Sequence, residues 1–167
     1  MQVRTLAEKL RGIPFAAFYA SPILRARESA QIVSEALGLN FEPSEALREY
    51  DVGELEGRSD EASWSQYAAL HAAWVRGDVD ASVGGGENFG QICQRFAPLL
   101  ERIRALDEDG PVLLLGHGGT FLCVLSSLCS NVDTRFVFER GLGHTEVVVA
   151  DLTPTGLTCV AWGDSRM

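Results

Sequence analysis

Residues 110–120 read GPVLLLGHGGT, an apolar run that stops at a histidine set between glycines. Val112, Leu113, Leu114 and Leu115, bounded by Gly110-Pro111 and Gly116, have the continuous pattern of a strand buried on both faces. The glycines beyond Leu115 permit a tight turn and let a ligand come close to the backbone. FLCVLSSLC at 121–129 then follows helical spacing, which sets His117 on a strand-to-helix turn. In open α/β sheets ligands bind at such turns, beside the free amides of a helix amino end. On this stretch alone, a histidine satisfied within its own turn is an equal reading.

The remaining elements alternate. Val3, Leu6, Ala7 and Leu10 keep helical spacing, so the sequence opens within a helix. PFAAFYA at 14–20 reads as a short buried strand. SPILRARESAQIVSEALG at 21–38 reads as a helix with Ser21 as its cap, Pro22 in the first position and Gly38 closing it. A strand through LNFEP (39–43) leads into the aperiodic LREYDVGELEGRSD (47–60). Trp64, Tyr67, Ala68, His71, Trp74 and Val75 share a helix face, and RGDVDASVGGGE (76–87) is a glycine-rich loop. Phe89, Ile92, Cys93, Phe96, Leu99, Leu100 and Ile103 form the most regular helical stripe. TEVVVADL (145–152) and LTCVAW (157–162) read as strands around a TPTG turn. This alternation predicts a three-layer α/β/α sandwich on a mostly parallel sheet, as one domain over 1–167.

Composition narrows the function. With 46% hydrophobic and 22% charged residues the chain is ordinary globular sequence. A formal net charge of −9 disfavours nucleic acid or an anionic membrane as partner, since both call for a basic face. An anionic substrate would need a local cationic pocket. The amphipathic, charged MQVRTLAEKLRG is unlike a signal peptide. Cys93, Cys123, Cys129 and Cys159 form no C-x-x-C pair and read as reduced thiols of a cytoplasmic protein. His71, His117 and His144 have no metal-ligand spacing, so no metal or cofactor is expected.

Three positions are candidates for chemistry. Arg25 falls in the first turn after AFYASP, where a cation does nothing for the helix but joins free amides in an oxyanion site. If its strand and the 112–115 strand are parallel neighbours, Arg25 and His117 open onto the same sheet edge. Glu49 lies in a segment the fold does not need as helix or strand, and loops are where function concentrates. Taken singly, Arg25 reads as an exposed arginine and Glu49 as a solvated loop carboxylate, whereas His117 divides evenly between turn residue and ligand. No G-x-S-x-G nucleophile elbow, P-loop or G-x-G-x-x-G fingerprint is present. His71, on an aromatic helix face, reads as packing or lid.

Taken in order, these pieces resemble the histidine phosphatase superfamily, the phosphoglycerate mutase-like family. FAAFYASPILRARESAQIV (15–33) is similar to that family's strand-Ser-Pro-x-x-Arg-Ala segment, with Ser29 for the usual threonine. LREYDVGELEG (47–57) resembles its Leu-x-Glu-x-x-x-Gly-x-x-Glu-Gly loop. GGGENFGQICQRF (84–96) resembles its Gly-Gly-Glu-Ser helix start, with Asn88 for serine, and VLLLGHGGT (112–120) its second histidine motif. The resemblance implies a phosphatase, or alternatively a mutase, acting on small phosphorylated substrates. Arg25, His117 and the Gly118 amide would bind the phosphoryl group, with His117 stabilising its oxygens and Glu49 as general acid for the leaving oxygen. Phosphoryl transfer calls for this combination of donors and a proton source.

The family also carries an Arg-His-Gly triplet ending a central strand, whose histidine is the phosphorylated nucleophile. No such triplet stands in these residues. The resemblance therefore implies an N-terminal central strand missing from this chain, which is then inactive as given. A non-catalytic phosphate- or phosphoprotein-binding module is the alternative. An interior strand lost from a sheet exposes edges that invite pairing, so the chain is expected either to be marginally stable and aggregation-prone or to fill the gap with a strand from another chain, as a homodimer would.

Overall fold

The computed structural model describes residues 2–107 and 109–167. In chain order the elements are α1 (Gln2–Leu10), β1 (Ala17–Ala20), α2 (Leu24–Leu37) and β2 (Glu42–Pro43). Two single-turn 3-10 helices follow, Glu45–Leu47 and Gly53–Leu55, then α3 (Glu61–Val75), α4 (Phe89–Arg104) and β3 (Val112–Leu115). The chain continues through α5 (Gly118–Leu128), α6 (Thr134–Arg140), β4 (Val148–Thr153), β5 (Gly156–Trp162) and β6 (Ser165–Arg166). These form two compact units. One comprises the chain up to Glu49 with Arg95–Thr120 and Gly143–Thr145. The other comprises Tyr50–Gln94, Phe121–Leu142 and Glu146–Met167.

The first unit is built on a parallel sheet in the order β2-β1-β3. Side chains alternate across it, as strand geometry requires. Phe18 and Ala20 of β1 and Leu113 and Leu115 of β3 pack with Ala7 and Leu10 of α1 and Ala30 and Val33 of α2. Tyr19 points to the opposite face, where the Arg102 guanidinium of α4 lies 5.1 Å from its ring centroid. Arg102 also grips Glu42 of β2 through paired contacts of 2.5 and 2.6 Å. Helices thus cover both faces of this sheet, the layering the sequence predicts. Gly38 closes α2 in the left-handed region (φ 65°), with its N–H on the Ser34 carbonyl.

The structure corrects the expected burial of Val112–Leu115: all four residues are only half-buried. The cause is the position of β3 at the end of its sheet. Ser21 N–H donates to the Leu115 carbonyl at 2.8 Å, so the polar backbone groups of Leu113 and Leu115 face β1. Those of Val112 and Leu114 point the other way, where no strand among the described residues pairs with them. The LNFEP strand also shrinks, to Glu42–Pro43.

The second unit holds an antiparallel sheet, β4-β5-β6. Only Pro154 and Thr155 separate β4 from β5. Leu125, Cys129, Val132, Val137, Cys159 and Trp162 form its core, and the Trp162 indole donates to the Gly141 carbonyl at 2.9 Å. The short α6 is capped by Asp133, which accepts the Phe136 N–H at 2.7 Å. Beside α3 lies an aromatic cluster in which His71 sits among Tyr50, Tyr67, Trp74 and Phe138. Trp74 is 1% exposed, but Trp64 is 60% exposed, so the α3 stripe is buried at its C-terminal end only. His71 shares a 2.8 Å hydrogen bond with the Tyr50 hydroxyl.

Two outcomes follow. An apolar strand with an open hydrogen-bonding edge promotes pairing between molecules, so light scattering behind size exclusion should show association that grows with concentration. Val112→Pro removes an N–H that β1 does not use and should shift the protein toward monomer; a stable monomer at all concentrations contradicts this reading. The second outcome concerns acid. Burial lowers the His71 pKa from 6.5 to about 4. Between those values the unfolded chain binds the proton and the folded chain does not. The stability from His71 is therefore full above pH 6.5 and lost as the pH falls toward 4. It amounts to at most about 3 kcal/mol, less whatever solvent screening removes. Urea melts at pH 7 and pH 4.5 should lose less stability in His71→Phe than in the parent, and equal losses would contradict it.

Candidate functional site

β1 and β3 run parallel and end in register, Ala20 opposite Leu115. The segments leaving them, Ser21 and Gly116-His117, therefore emerge on one sheet edge. There the Ser21 hydroxyl oxygen lies 2.8 Å from His117 Nε2, across 96 positions of sequence. This corrects the local reading of Ser21. It does not cap α2, whose cap position is held by the extended Ile23 (φ −64°, ψ 135°). Ser21 Oγ accepts the Ile23 N–H at 3.3 Å and otherwise serves His117. A partner in another element won over the local cap.

Arg25 lies exposed in the first turn of α2, and its charge reaches His117. The His117 pKa is held below its ordinary 6.5, first by burial and then by the Arg25 and Arg95 cations, with Glu49 opposing them. The balance favours the uncharged imidazole. The structure brings these sequence-selected residues into one electrostatic neighbourhood.

Glu49 is fixed by the start of α5. The Thr120 N–H donates to Glu49 Oε1 at 2.9 Å, and the Thr120 hydroxyl lies 3.2 Å from the same oxygen and 2.7 Å from the Arg48 carbonyl. Thr120 is fully buried, so these contacts tie the aperiodic segment to the helix that follows His117. Gly118 and Gly119, the first two residues of α5, carry amides with no intrahelical acceptor. Arg95 of α4 holds the 3-10 turn just before the aperiodic segment, donating to the Glu45 and Ala46 carbonyls at 2.9 and 3.0 Å.

Sequence reasoning did not single out Thr120 or Arg95. The signals were faint: a hydroxyl in the first helical turn directly after GHGG, and a cation beside the apolar α4 stripe. Two glycine-bearing loops of the second unit are also joined. Asp51 N–H donates to Glu87 Oε2 at 2.9 Å, and Glu87 N–H returns to the Asp51 carbonyl at 2.8 Å. Asn88 and Gln91 cap the start of α4 reciprocally, so asparagine performs a cap that serine also could.

One sheet edge therefore carries an imidazole, a guanidinium, glycine amides at a helix amino end, and a carboxyl group. Donors of this kind suit an oxyanion. Among the described residues no cluster of three or more His, Cys, Asp or Glu could hold a metal ion, and no helix is long and apolar enough to cross a membrane.

The family model described as histidine phosphatase superfamily (branch 1) matches residues 1–165. The chain belongs to this superfamily. Among curated histidine phosphatase relatives, the probable phosphoglycerate mutase GpmB of Escherichia coli O1:K1 is 30% identical over 128 residues, covering 77% of this chain and 58% of that protein. The chain thus spans somewhat more than half the length of the curated relatives it matches. Solved histidine phosphatase folds superpose over nearly all of it. A mycobacterial glucosyl-3-phosphoglycerate phosphatase gives a TM-score of 0.81 at 22% identity, covering 98% of this chain and 84% of that one. YhfR of Bacillus stearothermophilus gives 0.80 at 22%, with 99% and 82% covered. The α-ribazole phosphatase of Shigella flexneri gives 0.74 at 19%, with 98% and 80% covered.

The Thr120 hydroxyl can be tested directly. Thr120→Val keeps the shape but leaves the Arg48 carbonyl without that donor, at an expected cost of about 1–3 kcal/mol in denaturant melts. Thr120→Ser should recover most of it. A Thr120→Val protein as stable as the parent would show that the hydroxyl does not hold this segment.

Proposed function

We propose that this chain is the phosphate-binding core of a phosphatase-type phosphoryl-transfer protein acting on small phosphorylated substrates. Arg25, His117 and the Gly118 amide take the oxygens of the phosphoryl group, and Glu49 delivers the proton to the leaving oxygen. Hydrolysis is favoured over mutase action because structural relatives such as the mycobacterial and Shigella proteins bear phosphatase names. The mycobacterial protein has also been solved with inorganic phosphate. The observation that carries the reading is the Ser21–His117 contact, with the Arg25 charge felt at the same imidazole.

The nucleophile does not come from these 167 residues in this reading. His71 is packed among aromatic rings and bonded to Tyr50. His117 has its Nε2 engaged by Ser21, and His144 is an exposed turn residue. This favours a second reading, a non-catalytic module that binds phosphate groups without turning them over.

Calorimetric titration with inorganic phosphate and vanadate should give weak binding in the parent chain. Arg25→Ala should bind at least about tenfold more weakly, the loss expected for one charge-assisted hydrogen bond. Equal affinities would make Arg25 an ordinary surface residue. The same chain should neither hydrolyse p-nitrophenyl phosphate nor form an acid-labile phosphohistidine. Turnover abolished by His117→Ala would overturn the assignment of His117 as donor alone.

A further inference from the structure

The Ser21–His117 pair has the distance of a nucleophile and its base, yet Ser21 is 0% exposed and cannot meet a substrate. Its role is settled instead by counting protons. A hydroxyl has one proton and two lone pairs. One lone pair of Ser21 Oγ receives the Ile23 N–H. The contact with Nε2 can then run in either of two directions.

If Nε2–H donated to Ser21, both lone pairs would be filled and the hydroxyl proton would need a third partner. Among the described residues Ser21 Oγ has only two, Ile23 and His117, and its burial excludes water. That proton would be left unsatisfied in the interior, which is costly. If Ser21 donates to Nε2, every group is satisfied: Ile23 N–H to Oγ, then Oγ–H to Nε2. An Nε2 that accepts carries no proton, so the ring proton must then be on Nδ1. His117 Nδ1 has no hydrogen-bond partner among the described residues, and no buried side-chain nitrogen or oxygen among them lacks one. Nδ1 is therefore open to a ligand.

We infer that Ser21 is a positioning residue that fixes His117 as the Nδ1–H tautomer, so that a neutral imidazole offers a single aimed donor to an anionic oxygen. This rests on the phosphate reading for the identity of the ligand, but not for the tautomer. The device suits an acidic protein. It supplies a hydrogen-bond donor without a further positive charge beside Arg25 and Arg95, whose cations already disfavour an imidazolium there. Ser21 also keeps Nε2 occupied, so an incoming oxyanion meets only the donating nitrogen.

The test is long-range ¹H–¹⁵N NMR of the histidine rings in the 167-residue chain at pH 7.5, with the three rings assigned from His71→Gln, His117→Gln and His144→Gln. His117 should show a protonated Nδ1 and a bare Nε2, with and without saturating inorganic phosphate. Ser21→Ala should move the ring toward the Nε2–H form or a mixture and weaken phosphate binding about tenfold. Ser21→Thr, which keeps the hydroxyl, should restore the tautomer. The parent spectrum is decisive even if neither variant folds: a His117 protonated on Nε2 overturns the inference. A correct tautomer in a chain that binds no phosphate would leave the inference standing and sink the phosphate reading.

Discussion

The parallel pairing of β1 with β3, ending in register at Ala20 and Leu115, is the constraint on which the site depends. Parallel strands send both following segments off the same sheet edge, and each leads into a helix whose first amides lack intrahelical acceptors. Register matters as much as direction. With Ala20 opposite Leu115, Ser21 and His117 come within 2.8 Å of each other. A one-residue slip would move every side chain of one strand to the opposite face and separate the pair. The core that fixes this register is local to the first unit: Phe18, Ala20, Leu113 and Leu115 against α1 and α2.

A second layer of contacts holds the aperiodic segment to this edge. Thr120 ties Arg48 and Glu49 to the start of α5, and Arg95 ties Glu45 and Ala46 to α4. Each of these bonds ends on backbone or on Glu49, so the 3-10 turn at Glu45–Leu47 and the first residues of the aperiodic segment are held together. The electrostatic result is local. A chain with net charge −9 gathers Arg25 and Arg95 where their cations are felt at His117. Burial and those two cations favour the neutral imidazole, whereas Glu49 alone pulls the other way.

Much of this was legible in the sequence, for physical reasons. Apolar runs bounded by glycine and proline announce β1 and β3, and two strand-to-helix turns carrying Arg25 and His117 announce the shared edge. The rest depended on distant partners. Ser21 reads locally as a cap, because serine before a helix usually is one, but its partner is 96 residues away. Val112–Leu115 read as fully buried because sequence cannot show that β3 ends its sheet. Trp64 reads as core because it shares a face with Trp74, yet the helix leaves its covering partners before reaching Trp64. The short α6 and β6 lack enough periods to stand out, although Asp133 is a visible cap.

The central claim is that the two strand-to-helix turns form one oxyanion site. An amide chemical-shift titration of the isotope-labelled chain with inorganic phosphate tests it most directly, because it reports every backbone N–H at once. The account requires the largest changes at Ile23, Leu24 and Arg25 and at His117, Gly118 and Gly119, rising together with a single apparent affinity. Changes at only one of these turns, two different affinities, or shifts concentrated elsewhere in the chain would contradict it.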